Sequence, residues 1–104
     1  MSDEVARFVG DRQMANSTTF MIREAGKNGS VEVFDDRLVR TIKNRITKND
    51  QQIFPLKSVT SVHQDRKMLR TDKVRMTVGI ETYEWKVKDA ERFVKVVNER
   101  IIAL

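Results

Sequence analysis

Residue types that carry out chemistry are scarce in this chain of 104 residues, which has one histidine and no cysteine. Without cysteine there is neither a thiolate nucleophile nor a thiolate metal site, and any histidine-activated nucleophile would depend on His63 alone. His63 lies in a valine-rich run, where a lone histidine is typical of a packed or surface position. The sequence therefore predicts a protein without a catalytic site.

Two short motifs resemble ion sites without meeting their requirements. Asp35 and Asp36 are adjacent acids, but neighbours in a strand point to opposite faces, and a cation such as Ca²⁺ needs more oxygen ligands than they supply. Residues 26–29 (GKNG) lack the G-x-x-x-x-G-K-[ST] spacing of a phosphate-binding loop and are typical of a hairpin turn. We expect no cofactor, no bound metal and no small-molecule substrate.

Positive charge is concentrated in the middle of the chain, whose net charge is +5. Residues 37–75 carry a charge of +8, whereas residues 1–36 sum to −3 and residues 76–104 to zero. A field of one sign attracts nucleic acid, anionic lipid or an acidic protein, although a solvated surface has the same composition. The candidate anion-binding residues are Arg37, Arg40, Lys43, Arg45, Arg66, Lys67, Arg70 and Lys73.

The positions of the cations along the strands, and the absence of aromatic residues near them, argue against one continuous nucleic-acid-binding stripe. In an extended chain Arg37 and Lys43 lie on one face and Arg40 on the other, so the cations do not form one clean stripe. Surfaces that bind single-stranded nucleic acid interleave aromatic residues with cations, and residues 37–48 and 66–75 contain none. The aromatic residues expected in the core are Phe34, Phe54, Tyr83, Trp85 and Phe93.

Most of the chain has the pattern of strands separated by tight turns. Strand patterns occur at residues 19–24, 30–34, 38–43, 51–54, 56–64, 74–80 and 82–87, with turn chemistry at 26–29, 35–36, 48–50 and near Glu81. We expect a charged loop at residues 65–72, between the fifth and sixth of these strands. The last two patterns alternate apolar and polar residues strictly and predict a hairpin.

The final segment changes from a period of two to helical spacing. Asp89 is placed to cap a helix of about 14 residues. Its apolar stripe consists of Ala90, Phe93, Val94, Val97, Ile101 and Leu104. The stripe must be buried against the sheet, because no other large apolar surface is available. Strands followed by one helix predict a mainly β (α+β) domain.

Residues 1–16 differ from the rest, and we expect a separate short N-terminal helix or arm, with residues 17–104 forming the domain. Ser2 and the two acids after it suit a helix start. Val5, Phe8 and Val9 then fall on one helical face and are the candidate partner contacts of this arm. No apolar run has signal-peptide length or approaches the roughly 20 residues that span a bilayer, which predicts a cytoplasmic protein.

Two stretches of sequence, together with the order of elements, resemble the short stand-alone pleckstrin-homology-like (PH-like) domains of bacteria and phages. Residues 26–39 (GKNGSVEVFDDRLV) are similar to the family's glycine turn, strand, acidic turn and second strand. Residues 53–62 (IFPLKSVTSV) are similar to its I-P-L-x-x-I-x-x-V segment, with Phe54 inserted. The resemblance covers residues 19–104 and implies a barrel of about six to seven antiparallel strands closed by the C-terminal helix.

The resemblance implies a recognition or assembly scaffold that often self-associates. It does not imply phosphoinositide binding, because Arg23 and Lys27 of the first hairpin are accompanied by Glu24 and Glu32. We therefore expect a non-catalytic interaction module of phage or bacterial origin that binds a protein partner or itself. Two other classes stay open, namely a small basic nucleic-acid-binding protein and a peripheral binder of anionic membrane that uses the same cations.

Overall fold

The computed structural model describes residues 17–65 and 72–104, which form one open antiparallel sheet of seven strands followed by a C-terminal helix. The strands are β1 (Thr18–Glu24), β2 (Lys27–Val33), β3 (Arg37–Ile42), β4 (Asp50–Pro55), β5 (Val59–Asp65), β6 (Lys73–Val78) and β7 (Glu81–Val87), and the helix is α1 (Ala90–Ile102). Their order across the sheet is β4-β3-β2-β1-β7-β6-β5. The prediction of a mainly β fold with a C-terminal helix is confirmed. The predicted arm at residues 1–16, with Val5, Phe8 and Val9, lies outside the described residues.

The first hairpin turns at residues 25 and 26 rather than at 26–29, so the predicted turn was placed too late. Ala25 and Gly26 have φ angles of 52° and 83°, the positive values that a two-residue type I′ turn requires. Gly29 lies inside β2 and has another role, since a Cβ there would be 2.3 Å from the Thr41 carbonyl oxygen. The close approach of β3 therefore requires glycine at position 29.

The hairpin predicted near the end of the sheet-forming region joins β6 and β7, but β6 ends at Val78. Gly79 adopts a left-handed conformation with φ of 61° and reverses the chain there, together with Ile80. Ile80 is 99% exposed in this turn. The strand pattern predicted at residues 74–80 was therefore two residues too long at its end, because the chain turns at Gly79.

The sheet consists of two halves joined by a short contact. β1 pairs with β7 through only two register pairs, Ile22 with Val87 and Arg23 with Lys86. On either side of this joint the strands are paired along most of their length. The inner faces of both halves contribute one core, made of Phe20, Ile22, Val31, Val33, Leu38, Ile42, Phe54, Leu56, Val59, Val62, Val74, Met76, Trp85 and Val87 together with Ala90, Phe93 and Val97 of α1.

The helix packs its apolar stripe against β5, β6, β7 and a short 3-10 helix at Leu56–Ser58. Phe93 is fully buried, with its ring 5.1 Å from that of Phe20 and 6.2 Å from that of Trp85. Asp89 occupies the N-cap position, but its side chain makes no capping hydrogen bond, so that prediction was wrong. Its backbone carbonyl accepts from the Phe93 N–H instead.

Within the two described ranges, no helix is both long enough and apolar enough to cross a lipid bilayer.

Replacing Phe93 tests whether the helix holds the core together. Phe93→Ala removes a ring buried between both halves of the sheet, and we expect the free energy of unfolding to fall by about 3–5 kcal/mol. Urea unfolding followed by fluorescence of Trp85, the single tryptophan, measures this change. Ile102→Ala, at an exposed position of the same helix, is the control and should shift stability by less than about 0.5 kcal/mol. Equal effects of the two variants would contradict the packing described here.

Candidate anion-binding surface

A row of side chains crosses the sheet at right angles to its strands. From β3 toward β6, Lys43 lies opposite Asn28, and Asn28 lies opposite Arg23. Arg23 in turn lies opposite Lys86, and Lys86 lies opposite Lys73. Residues that face each other on neighbouring antiparallel strands project from the same side of the sheet. The four cations of this line, Lys43, Arg23, Lys86 and Lys73, are called the basic row, which spans about 19 Å at a strand spacing of about 4.8 Å.

The basic row lies on the outer face of the sheet and its charges are available to a ligand. Lys43, Arg23 and Lys86 are exposed and Lys73 is half-buried. Within residues 17–65 and 72–104, none of the four takes part in an ion pair or a side-chain hydrogen bond. Like charges side by side repel one another, so the row favours an anion that lies across several strands. The row ends at Lys73, because the next position in the register, on β5, is an acid, Asp65.

Two of the depressions beside the basic row are lined by further cations. Lys88 follows the row at the end of β7, where its backbone N–H donates to the Met21 carbonyl, and it shares one depression with Arg23, Lys43 and Lys86. The other depression lies between the β1–β2 turn and the β3–β4 connection, and Arg23, Lys27, Lys43 and Arg45 are among its lining residues. Positive charge therefore extends from the middle of the sheet onto the β3–β4 connection.

Of the eight cations predicted from sequence, the five that the structure describes lie in different places. Lys43 and Lys73 belong to the basic row, and Arg45 lies beside it. Arg37 sits at the opposite end of β3, where it pairs with Asp36 at 2.9 Å and covers the Phe34 ring at 4.4 Å. The remaining candidates are Arg40, which is buried, and Arg66, Lys67 and Arg70, which lie outside the described residues.

The prediction that Arg40 contributes to an anion-binding surface is wrong, because its side chain points into the fold and is 6% exposed. Its guanidinium donates to both carboxylate oxygens of Glu24, at 2.8 and 2.5 Å, and to Asp50 at 3.4 Å. The Glu24 carboxylate also accepts from the indole N–H of Trp85 at 2.6 Å. One carboxylate thus links β1, β3 and β7.

This arrangement, called the Glu24 cluster, changes the ionisation of its members. Hydrogen bonds from Arg40 lower the pKa of Glu24 below its ordinary value of 4.5, and the bond from Trp85 acts in the same direction, against the opposing effect of burial. The hydrogen bond to Glu24 raises the pKa of Arg40. Both groups therefore stay charged at neutral pH, and their charges are used internally rather than offered to a ligand.

Arg23 and Lys86 are the central members of the row, and neither was predicted from the sequence as a site residue. Each occupies an outward position in a strand, which the alternation of apolar and polar residues does indicate. Arg23 lies in residues 1–36, whose net charge is −3, and Lys86 in residues 76–104, whose net charge is zero. The excess of positive charge lies instead in residues 37–75. Only the pairing of β1 with β7 places the two cations next to each other.

Groups that could carry out chemistry are dispersed over the described residues. His63 is exposed on β5, opposite Arg75. Asp36 pairs with Arg37, and Asp35 accepts from Arg100 of α1, so both acids of the second turn are used in ion pairs. Over residues 17–65 and 72–104 there is no group of three or more His, Asp or Glu that could hold a metal ion.

Two comparisons with known proteins found no match, so the function is inferred from the geometry. No protein-family model matches the chain, and a search of curated proteins finds no significantly similar sequence. The features available for that inference are the basic row, the depressions beside it and the two edges of the sheet.

Glu24→Gln tests the internal cluster through the pH dependence of stability. Because the pKa of Glu24 is lower in the folded than in the unfolded chain, its ionised form stabilises the fold above pH 4.5, and this contribution is lost as the pH falls through the folded value. At pH 7 we expect the variant to be less stable by roughly 2 kcal/mol, since Arg40 loses a charged acceptor. The difference from the parent should shrink as the pH falls below 4.5.

Glu84→Gln is the matched control for this measurement. Glu84 pairs with Arg75 at 2.5 Å, but both side chains are more than 40% exposed, so the change should cost no more than about 1 kcal/mol. Urea unfolding of parent and variants at several pH values compares them. A Glu24→Gln effect that does not vary with pH would contradict the ionised cluster.

Proposed function

We propose that this chain is a non-catalytic interaction module of the PH-like barrel type, and that it binds an acidic segment of a protein partner across the basic row. The observation that carries the proposal is the alignment of Lys43, Arg23, Lys86 and Lys73 on one line of the outer face. Because Arg23, Lys86 and Lys73 lie on three neighbouring strands and Lys43 directly follows β3, the folded sheet holds the four cations in fixed positions. Such a surface recognises a complementary line of negative charge.

The barrel type is supported by the strand order and by the position of the helix. The edge strands β4 and β5 follow one another in the chain and are linked by the short 3-10 helix at Leu56–Ser58, against which α1 also packs. The two stretches that resemble PH-like domains, residues 26–39 and 53–62, fall on β2–β3 and on β4–β5. We therefore retain that family as the proposed relationship.

An acidic protein segment fits the row better than single-stranded nucleic acid does. Proteins that bind single strands stack the bases on exposed aromatic rings. In residues 17–65 and 72–104 every aromatic side chain is buried or half-buried, and the Phe93 ring packs edge to face with those of Phe20 and Trp85 in the core. An extended acidic peptide needs no ring and would cover the row with about six residues at about 3.3 Å each.

The strength and the salt dependence of this binding follow from the solvent exposure of the cations in the row. Ion pairs between solvent-exposed groups contribute about 0.2–1 kcal/mol each, so the row supplies modest affinity, and flanking contacts must supply the rest. Added salt screens such pairs, with a Debye length of about 8 Å at physiological ionic strength. Binding by the row should therefore be weak, fast and sensitive to salt.

The double variant Arg23→Gln/Lys86→Gln tests the row at its centre. We expect it to bind a fluorescein-labelled octaglutamate peptide about tenfold more weakly than the parent chain, because two exposed ion pairs are lost. Fluorescence anisotropy at low and at physiological salt measures the affinity. The matched control is Lys57→Gln/Lys95→Gln, which removes the same charge from exposed positions outside the row.

Three outcomes of this experiment distinguish the classes of ligand. A loss confined to the row variant supports the proposal, and equal losses in both double variants would show that only net charge matters. A DNA duplex that binds more tightly than the peptide, with a steep dependence on salt, would favour the nucleic-acid class instead.

A second candidate function, peripheral binding to anionic membrane, is favoured by Ile46. This side chain is 95% exposed on the connection between β3 and β4. Arg45 and Lys48 are exposed on the same connection, and Lys43 begins it. An apolar tip surrounded by cations can insert into a lipid interface while its charges bind anionic headgroups.

Ile46→Asn tests the membrane candidate. If the tip inserts, the variant should bind vesicles of phosphatidylcholine with about 30% phosphatidylglycerol roughly tenfold more weakly, because burial of the isoleucine side chain is lost. Vesicle sedimentation measures the bound fraction, and Ile102→Asn changes an equally apolar, exposed side chain on α1 as the control. Unchanged binding by Ile46→Asn would exclude insertion at this connection.

A further inference from the structure

The two edges of the sheet differ in how well they are protected against pairing with another chain. At the β5 edge the register shifts between Val59 and Ser61, Thr60 bonds through its hydroxyl to the Thr77 carbonyl at 3.2 Å, and α1 packs against the strand. A bulge and a covering helix are common means of blocking an edge. This edge is therefore unsuited to further strand pairing.

The β4 edge has none of these devices in the part of the chain that the structure describes. β4 pairs with β3 through an uninterrupted register over all six of its residues, from Asp50 to Pro55. The strand contains no Lys or Arg, and its one proline, which also protects edges, is its last residue, Pro55. Ile53 is 58% exposed at its centre. β4 is thus a regular strand with an unblocked edge.

The hydrogen-bonding groups that β4 directs outward follow from the backbone bonds beside it. The Lys43 N–H donates toward β2, so by alternation the N–H of Ile42, Arg40 and Leu38 point toward β4. The Leu56 N–H donates to the Asp36 carbonyl, on the side of β3. By the same alternation, the backbone groups of Phe54, Gln52 and Asp50 point toward β3. The N–H and C=O groups of Gln51 and Ile53, and the carbonyl of Pro55, therefore point away from β3.

We propose that β4 pairs in antiparallel fashion with β4 of a second copy of this chain, with Ile53 opposite Ile53 on the two-fold axis. In this register the N–H and C=O of Ile53 bond reciprocally across the axis, and the Gln51 N–H donates to the Pro55 carbonyl of the other copy. Pro55, which has no N–H, needs only to accept.

Self-complementarity selects a second copy as the occupant of this edge. The two exposed Ile53 side chains meet on the outer face, where pairing removes both from water. The Asp50 carboxylates lie at opposite ends of the paired strands, so like charges do not face each other. A strongly charged strand from another protein would find only Asp50 to complement it within β4. This dimer does not depend on the basic row.

Single-cysteine cross-linking tests the register, since the chain has no cysteine of its own. Facing residues of a hydrogen-bonded antiparallel pair have Cα atoms about 5.5 Å apart, a separation that suits a disulfide. Under a mild oxidant, the full chain carrying Ile53→Cys should form covalent dimers at least about tenfold faster than Ile80→Cys. Ile80 is the more exposed residue but lies in the β6–β7 turn.

A second variant tests the dimer without a new covalent bond. Ile53→Lys adds a charge at the axis, and we expect light scattering to show a monomer at concentrations where the parent chain is a dimer. Circular dichroism of the variant should match that of the parent, because the position is exposed. A parent chain that is monomeric at all concentrations, or equal cross-linking at positions 53 and 80, would overturn the proposal. The row variant Arg23→Gln/Lys86→Gln should dimerise normally, which separates this result from that of the acidic-partner proposal.

Discussion

The structure depends on the short joint between β1 and β7, where two register pairs connect a four-stranded half of the sheet to a three-stranded half. So short a ladder supplies few hydrogen bonds, and other contacts must hold the halves in place. Glu24 provides one of them, because its carboxylate bonds to Arg40 of β3 and to Trp85 of β7. The Phe93 ring provides another, since it contacts Phe20 from one half and Trp85 from the other.

The candidate surface is a consequence of this joint. Arg23 and Lys86 form one of its two register pairs, so the cations of the two halves align only where the halves meet. The side chains of Arg40 and Glu24 point inward and neutralise each other, which leaves the outward cations as the source of positive potential. Arginine thus connects strands in the interior, whereas Arg23 on the outer face belongs to the proposed ligand surface.

A binding function agrees with how polar groups are used in the described part of the molecule. Acids that could have formed a reactive cluster are engaged in ion pairs, with Asp36 on Arg37, Asp35 on Arg100 and Glu24 on Arg40. The basic row presents unmatched charge at the surface, Ile46 presents an apolar side chain, and the β4 edge presents backbone hydrogen-bonding groups. The basic row and the β4 edge lie on different strands, so the two proposed contacts, with an acidic partner and with a second copy, are compatible in one molecule.

Periodicity in the sequence determined which residues face the core and which elements form. The strict alternation in β6 and β7 and the helical spacing from Ala90 to Ile101 produce the hairpin and the docked helix, because side-chain direction in a regular element depends only on local position. The same rule put Arg40 on the face opposite Arg37 and Lys43.

The local pattern of residues does not determine the register between strands that are distant in sequence. The pairing of Arg23 with Lys86, the burial of Arg40 against Glu24 and the left-handed backbone at Asp89 were decided by tertiary structure. Each depends on a contact between segments far apart in sequence or on the packing of the helix, and these form only when the two halves of the sheet share one core.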